Sequence, residues 1–212
     1  MESTRLIAVR HGETAWNVDT RIQGQLDIPL NAKGRWQARR AGQALADEAI
    51  DAIYSSDLSR AWETAQAIAQ PHALAVAPET RLRERGFGQF EGRTFREIEA
   101  QLPDQAQRWR TRDPEFAPPG GESLLDLRTR VTQAVNEIAA RHPGQLVVLV
   151  AHGGVMDVIY RAATRQAVQA PRTWQLGNAA INRLLWSPQG LTLVGWGDDS
   201  HLNGDALDET TA

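Results

Sequence analysis

Two apolar runs of the chain each end in a histidine followed by glycine, and this pairing constrains the fold more than any other feature. The first run, residues 6–9, leads through one arginine to His11, and the second, residues 146–151, leads directly to His152. Short apolar runs of this kind are typical of strands that are buried on both faces of a parallel sheet. In such sheets ligands bind at the carboxyl ends of the strands, where helix N-termini present free N–H groups. We therefore expect both histidines to lie in one anion-binding crevice.

Strand-like and helix-like segments alternate along the chain, which predicts a three-layer α-β-α sandwich with a largely parallel central sheet. A short turn at 187–190 joins the last two strands and predicts an antiparallel edge. Asn31 and Ser123 are the predicted N-caps of two helices. The predicted strands are 4–10, 51–55, 145–151, 180–186 and 191–196. The predicted helices are 32–46, 58–69, 94–101, 123–141 and 153–163.

The length of the chain fits one globular domain. A chain of 212 residues can bury about 70% of its unfolded surface. We therefore interpret residues 1–202 as a single domain with a small cap near 85–122. Residues 203–212 are polar and acidic, and they are predicted to form a frayed tail.

Composition narrows the function classes. The absence of cysteine excludes disulfides and thiolate metal sites. A net charge of −3 argues against a nucleic-acid partner, because nucleic-acid phosphates require a broad basic face. The apolar run near the N-terminus is too short for a signal peptide or a membrane span, so we expect a cytoplasmic location and no membrane partner.

Two further segments between the histidines carry charged residues in similar settings. The strand-like residues 52–54 lead into a helix with Arg60 near its start, and Glu84 lies in a glycine-punctuated loop. The four motifs in chain order are Arg10-His11-Gly12-Glu13, Ser56-Asp57-Leu58-Ser59-Arg60-Ala61, Glu84-Arg85-Gly86-Phe87-Gly88 and His152-Gly153-Gly154. In type and order they resemble the histidine phosphatase superfamily, which includes cofactor-dependent phosphoglycerate mutases and many small-molecule phosphatases. The resemblance covers residues 5–160, and residues 198–202 extend it to about residue 202.

The resemblance implies a nucleophilic role for His11. A neutral imidazole whose Nδ1–H is donated to a backbone carbonyl presents Nε2 to phosphorus and forms a phosphohistidine. Fixed positive charges and donors must then surround the equatorial phosphoryl oxygens. The predicted catalytic residues are Arg10, His11, Arg60, Glu84 and His152. The predicted phosphate-binding residues are Arg10, Asn17, Arg60, His152 and Gly153.

Glu84 is the predicted general acid and base. An alkoxide leaves poorly unless it is protonated, and the same carboxylate then takes a proton from the attacking water. Glu13 is a rival acid, although its place in the first motif indicates a structural partner.

Substrate specificity is expected to come from the cap and a nearby loop. Four arginines of the cap could bind a second acidic group on the substrate: Arg85, Arg108, Arg110 and Arg112. Alternatively, they could simply make the cap soluble. The loop that contains Gln23 and Gly24 could also contact the substrate, but it is equally well interpreted as an ordinary turn.

These observations predict a phosphatase that hydrolyses a small-molecule phosphate monoester. The alternatives are a cofactor-dependent phosphoglycerate mutase and a non-catalytic protein that binds phosphate ligands. The resemblance implies that mutases of the family carry a longer insert between the acid and the second histidine. This chain looks too short for such an insert, so hydrolysis is favoured. We expect no metal, because metal-ligand spacing is absent and Arg10 would repel a cation beside His11. We also expect no cofactor apart from 2,3-bisphosphoglycerate priming in the mutase case, and a monomer or a homodimer.

Overall fold

Strands and helices alternate along the chain much as the sequence pattern predicts. The structure is a computed structural model that describes residues 2–203. Its strands are β1 (Thr4–Arg10), β2 (Ala52–Ser55), β3 (Val76–Pro78), β4 (Leu146–Ala151), β5 (Ile181–Ser187) and β6 (Gly190–Asp198). Its α-helices are α1 (Ala15–Val18), α2 (Ala32–Ala44), α3 (Ser59–Ala69), α4 (Phe95–Gln101), α5 (Pro103–Arg110), α6 (Leu124–Ala140) and α7 (Gly153–Thr164). Short 3-10 helices lie at Gln70–His72, Thr80–Leu82, Gly88–Phe90 and Ser200–Leu202.

Within residues 2–203 the strands form one six-stranded sheet in the order β3-β2-β4-β1-β5-β6. The pairs β1–β4, β2–β4 and β2–β3 are parallel, whereas β5 pairs antiparallel with β1 and β6 pairs antiparallel with β5. The predicted α/β class, with a largely parallel sheet and an antiparallel edge, is confirmed.

The core lies on both faces of this sheet because successive side chains of a strand point to opposite sides. All six residues of β4 are buried. Its side chains Val147 and Leu149 pack with helices α6 and α7, while Val148 and Val150 pack with α2 and α3 on the other face. Each fully buried aliphatic side chain contributes about 1.5–3 kcal/mol to folding, so this strand is a strong anchor for the residue that follows it.

Both predicted N-caps are present. The side chain of Asn31 accepts a hydrogen bond from the Gly34 N–H, and Ser123 forms a reciprocal capping box with Asp126. Thr14 caps the short helix α1 in the same way, with Asn17 as its partner. Strand β3 and helix α5 were not predicted.

Residues 85–122, where a cap is predicted, contain α4 and α5 and a hydrophobic cluster of their own. Its buried members are Phe90, Ile98, Ala106 and Phe116. The division into one domain, a cap and a tail stays a prediction, and residues 204–212 lie outside the described part of the chain. In residues 2–203 no helix is both long enough and apolar enough to span a membrane.

Candidate active site

The site lies where β1, β2 and β4 end at the same edge of the sheet. The backbone N–H of His11 donates to the Ala151 carbonyl at 2.9 Å, and the N–H of Ser56 donates to the Val150 carbonyl at 3.0 Å. These bonds continue the parallel ladders by one residue and fix the first residues of the loops that follow β1 and β2. The ring centroids of His11 and His152 are consequently 5.2 Å apart. The structure therefore brings the two histidines into one crevice.

His11 is held as a neutral ring with one nitrogen available. Its Nδ1 lies 2.6 Å from the carbonyl oxygen of Gly12, so Nδ1 carries the proton and Nε2 keeps its lone pair. Burial, followed by the charges of Arg10 and Arg60, lowers the pKa of His11 well below its ordinary value. A lone pair on Nε2 is what nucleophilic attack on phosphorus requires.

His152 is also fully buried, but its ring is fixed through the other nitrogen. Its Nε2 lies 2.8 Å from the Ser56 hydroxyl, which accepts a bond from the Leu58 N–H. In the tautomer in which the Ser56 hydroxyl donates to Nε2, the ring proton of the neutral form resides on Nδ1. Burial and then the charge of Arg60 lower the pKa of His152 well below its ordinary value. Among the described residues its Nδ1 has no hydrogen-bond partner, which makes it a free donor at the site.

Two buried arginines supply fixed positive charge. Arg60 donates to the carbonyls of Gly24 and Leu26 at 2.7 and 2.8 Å, and Arg10 donates to the Leu176 carbonyl. Within residues 2–203 the Nε atoms of both guanidinium groups are buried without a partner. Burial lowers the pKa of each arginine, whereas the nearby Glu84 raises it. An arginine remains charged in such surroundings, so both act as fixed cations.

A small pocket of about 170 Å³ is lined by His11 and by both arginines. Asn17 lines it with its Oδ1 already bonded to the Thr14 N–H, so the Nδ2 group is its remaining donor. Gln23 and Gly24 also line the pocket, and the Oε1 atom of Gln23 is buried without a partner among the described residues. Gly24 has a φ of 52°, and a Cβ there would overlap the side chain of Glu91.

Glu84 is the carboxylate at this site. Its Oε1 accepts from the Arg85 N–H at 2.7 Å, and the Gly154 N–H at the start of α7 lies 3.1 Å from both carboxylate oxygens. A Cβ at residue 154 would overlap Glu84, so this approach depends on glycine. A Cβ at Gly153 would lie 3.6 Å from the Arg10 Nε and 3.7 Å from the Glu84 Oε2, which places the start of α7 between these two groups.

Glu13 faces away from the pocket. Its carboxylate accepts from the Asn31 side chain at 2.9 Å and pairs with Lys33 at 3.0 Å. The Asn31 hydrogen bond, assisted by Lys33, lowers the pKa of Glu13. Glu13 thus anchors the start of α2, in agreement with the structural role that its motif position indicates.

The cap arginines that are predicted to meet substrate are bonded within the protein. Arg85 is 4% exposed, and its guanidinium donates to the carbonyls of Phe116 and Glu122 at 2.9 and 2.8 Å. Arg110 pairs with Glu99. Both arginines line the larger cleft beside the pocket, and their part in specificity stays a prediction.

The sequence interpretation missed several supporting residues. Ser56 orients His152, and Asn178 donates to the His11 carbonyl at 2.9 Å. Gln25 and Arg130 hold the backbone carbonyl of Glu84 at 3.1 and 3.3 Å. Ser56 lies inside a recognised motif, whereas Asn178 and Arg130 meet the site only through the folded chain. Within residues 2–203 no group of three His, Cys, Asp or Glu side chains could hold a metal ion.

Comparison with known proteins agrees with this geometry. The sequence profile of the histidine phosphatase superfamily (branch 1) matches residues 6–199. The chain belongs to this superfamily. It is 38% identical over 206 residues to phosphoglycerate mutase-like protein 4 of Arabidopsis thaliana, with 95% of this chain and 88% of the relative covered. It is also 38% identical over 199 residues to glucosyl-3-phosphoglycerate phosphatase of Mycobacterium tuberculosis, with 89% of each covered.

Solved structures of the superfamily share the fold. The YhfR protein of Bacillus stearothermophilus superposes with a TM-score of 0.88 at 32% identity, and the match covers 94% of this chain and 99% of that one. The phosphoserine phosphatase of Entamoeba histolytica, solved in complex with 3-phosphoglyceric acid, gives a TM-score of 0.82 at 29% identity and covers 94% and 99%. The predicted membership of the histidine phosphatase superfamily is thereby confirmed.

Proposed function

We propose that this chain is a phosphatase that hydrolyses a small-molecule phosphate monoester through a phosphohistidine on His11. One observation carries the proposal: the neutral His11 lies beside buried donors of Arg10, Arg60 and His152 that have no partner among the described residues. A buried donor left unpaired costs about 1–3 kcal/mol, so such a cluster is built for an anion with several oxygens. The phosphatase among the relatives and the phosphoglycerate bound to a structural neighbour support a phosphorylated small molecule as the substrate.

The reaction has two balanced steps. The Nε2 lone pair attacks phosphorus, the bond to the leaving oxygen breaks, and that oxygen takes a proton from a protonated Glu84. Water then attacks the phosphohistidine, Glu84 takes the proton from the water, and the P–N bond electrons return to Nε2. Arg10, Arg60 and the Nδ1–H of His152 hold the equatorial oxygens in both steps. Asn17 and the Gly153 N–H add donors.

Labelling tests this proposal. Rapid quench with ³²P-labelled phosphate monoester should give an acid-labile, base-stable phosphate on His11, and His11→Ala should remove both the label and turnover. Activity should also survive exhaustive chelation, because the chemistry uses no metal. Turnover by the His11→Ala variant, or activity that chelation abolishes and Zn²⁺ or Mg²⁺ restores, would refute the mechanism.

A phosphoglycerate mutase is the second candidate, favoured by the mutase-like relative. Mutase activity would need priming by 2,3-bisphosphoglycerate. If the primed protein interconverts phosphoglycerates faster than it releases phosphate, the chain is a mutase. The cytoplasmic location and the monomeric or homodimeric state belong to the same proposal, and a native mass measurement decides between the two states.

A further inference from the structure

A larger cleft opens directly beside the phosphate pocket. Its volume is about 850 Å³, and it shares Arg10, Glu84 and Phe87 with the pocket. Because the carboxylate that protonates the leaving oxygen faces both cavities, the larger cleft receives the remainder of the substrate. The inference below therefore rests on the proposed phosphatase function.

The positive charges of this cleft are not equally available. Its arginines are Arg10, Arg85, Arg110, Arg112 and Arg172. Arg10 belongs to the phosphate pocket, and Arg85 and Arg110 are bonded within the cap. Arg112 donates to the Asp157 carboxylate at 2.7 Å. Within residues 2–203, Arg172 alone among these five makes no hydrogen bond or ion pair.

The backbone on either side of Arg172 is held in place. Arg161 donates to the Ala170 carbonyl at 2.8 Å, and its guanidinium lies over the Trp174 ring at 4.6 Å. Trp174 also stacks on Tyr160 with ring centroids 4.0 Å apart. The short segment that carries Arg172 is thus attached to α7 on both sides of this residue.

The cleft also carries an unpaired donor close to Arg172 in the chain. Trp174 lines the cleft, and its Nε1–H is buried without a partner among residues 2–203. The Asp157 carboxylate, by contrast, is paired with Arg112 and Arg161. Burial is the main cause that lowers the pKa values of Arg10 and Arg112. The charge of Arg172 also lowers both values, and for Arg112 it acts after the charge of Arg161. Arg172 therefore lies within electrostatic reach of the phosphate pocket at one end and of the cap at the other.

We propose that Arg172 is a specificity-determining residue that binds a second anionic group on the leaving-group part of the substrate. Arg172 is exposed and lines the cleft. An unpaired guanidinium in that position attracts a carboxylate or a second phosphate and can bind it with two parallel hydrogen bonds. The substrate class is then a small phosphate monoester whose alcohol carries a second negative charge.

A pair of matched ligands tests this assignment. 3-Phosphoglycerate and sn-glycerol 3-phosphate share a three-carbon skeleton, but only the former carries a carboxylate. In the non-hydrolysing His11→Ala background, titration calorimetry should show tighter binding of 3-phosphoglycerate. Arg172→Gln should weaken that binding about 10- to 100-fold, the usual size of one charge-assisted contact, and leave glycerol 3-phosphate within about twofold. Arg172→Lys should recover part of the loss.

Arg128→Gln is the control, because Arg128 is exposed on α6 and does not line the cleft. With His11 intact, Arg172→Gln should raise KM for 3-phosphoglycerate and leave kcat unchanged. An equal loss of affinity for the two ligands would show that Arg172 binds the transferred phosphate. No loss of affinity for either ligand would show that Arg172 does not contact the substrate. Either result would overturn the inference. Selective binding without phosphohistidine formation would instead refute the proposed phosphatase function alone.

Discussion

At the scale of single residues, two histidines in nearly identical surroundings are given different roles by one hydrogen bond each. Both His11 and His152 are buried beside arginines, and the pKa values of both are lowered. The Gly12 carbonyl accepts a hydrogen bond from the Nδ1–H of His11, so the lone pair stays on Nε2, where the proposed nucleophile needs it. The Ser56 hydroxyl occupies Nε2 of His152, so Nδ1–H is left as a donor. The difference therefore depends on which ring nitrogen meets a neighbouring group, and the motifs contain Gly12 and Ser56 but do not show that contact.

The proposed acid role of Glu84 is tested by changing the leaving group. General acid assistance grows with the basicity of the departing oxygen, and nitrophenolate needs almost none. Glu84→Gln should therefore slow phosphoenzyme formation from alkyl phosphates by about 10²- to 10⁴-fold, while formation from p-nitrophenyl phosphate suffers much less. The measurement is the burst phase, because loss of the base also slows the later attack by water.

Glu13→Gln is the matched control for this experiment. The Glu13 carboxylate is bonded to Asn31 and Lys33 and does not line the pocket. Its loss should affect both substrates equally and weakly. An equal loss of both phosphorylation rates in Glu84→Gln would show that Glu84 only shapes the pocket, and a leaving-group-dependent loss in Glu13→Gln would assign the acid role to Glu13.

At the scale of secondary structure, long periodic segments were predictable and short ones were not. Strand β1 has the predicted bounds, and the other predicted elements differ from the structure by one or two residues at their ends. Strand β3 is three residues long and ends in Pro78, so it has no periodicity to recognise and forms because the edge of β2 is open. Helix α5 did carry start signals, Pro103 at its first position and Asp104 in its first turn.

The residues of the site also differ in how well the sequence predicts them. Residues that follow long strands, such as His11 and His152, were predictable because strand ends in a parallel sheet converge. Asn178 and Arg172 come from the irregular segment before β5, and only tertiary packing brings that segment to the site. Sequence spacing carries no information about such a contact.

Arg85 is expected to hold the two ends of the cap together. Burial lowers the pKa of Arg85 to about 10, so it stays a cation at neutral pH. Arg85→Met would leave the carbonyls of Phe116 and Glu122 without their donor, and we expect the free energy of unfolding to fall by about 2–4 kcal/mol. Urea unfolding followed by tryptophan fluorescence measures this change.

Arg110→Met is the matched control, since it removes the same charge from an exposed pair with Glu99. Exposed pairs are worth about 0–1 kcal/mol, so this variant should unfold close to the wild type. Equal stability of the two variants would show that Arg85 does not hold the cap.

At the scale of the whole molecule, the net negative charge does not reveal that positive charge is concentrated at the site. The chain carries −3 overall, yet Arg10 and Arg60 are buried side by side with His11. Burial, and after it the charge of these cations, lowers the pKa of His11. His11 should therefore stay unprotonated in mild acid, and phosphoenzyme formation should persist below pH 6.5 for as long as the fold does. The same arrangement makes the fold itself sensitive to acid.

The stability of the protein should therefore fall as the pH falls from about 6.5 to about 5. Burial, followed by arginine charge, lowers the pKa values of His11 and His152 in the folded chain, and burial lowers that of His201. In the unfolded chain these histidines titrate near about 6.5, so below that pH the unfolded chain binds more protons than the folded chain. Each fully buried histidine then removes about 1.4 kcal/mol of stability per pH unit, until its folded-state pKa is reached.

Urea unfolding at several pH values in this window measures the slope, because the carboxylates titrate mainly below it. A double variant, His11→Asn with His152→Asn, should lose the slope that corresponds to about two protons. In the wild-type protein, the ring C–H signals of both histidines in NMR spectra should not shift across the same pH range, since both rings stay neutral while folded. Ring signals that titrate near their ordinary pKa, or a free energy of unfolding that is constant over the window, would contradict the electrostatic account of the site.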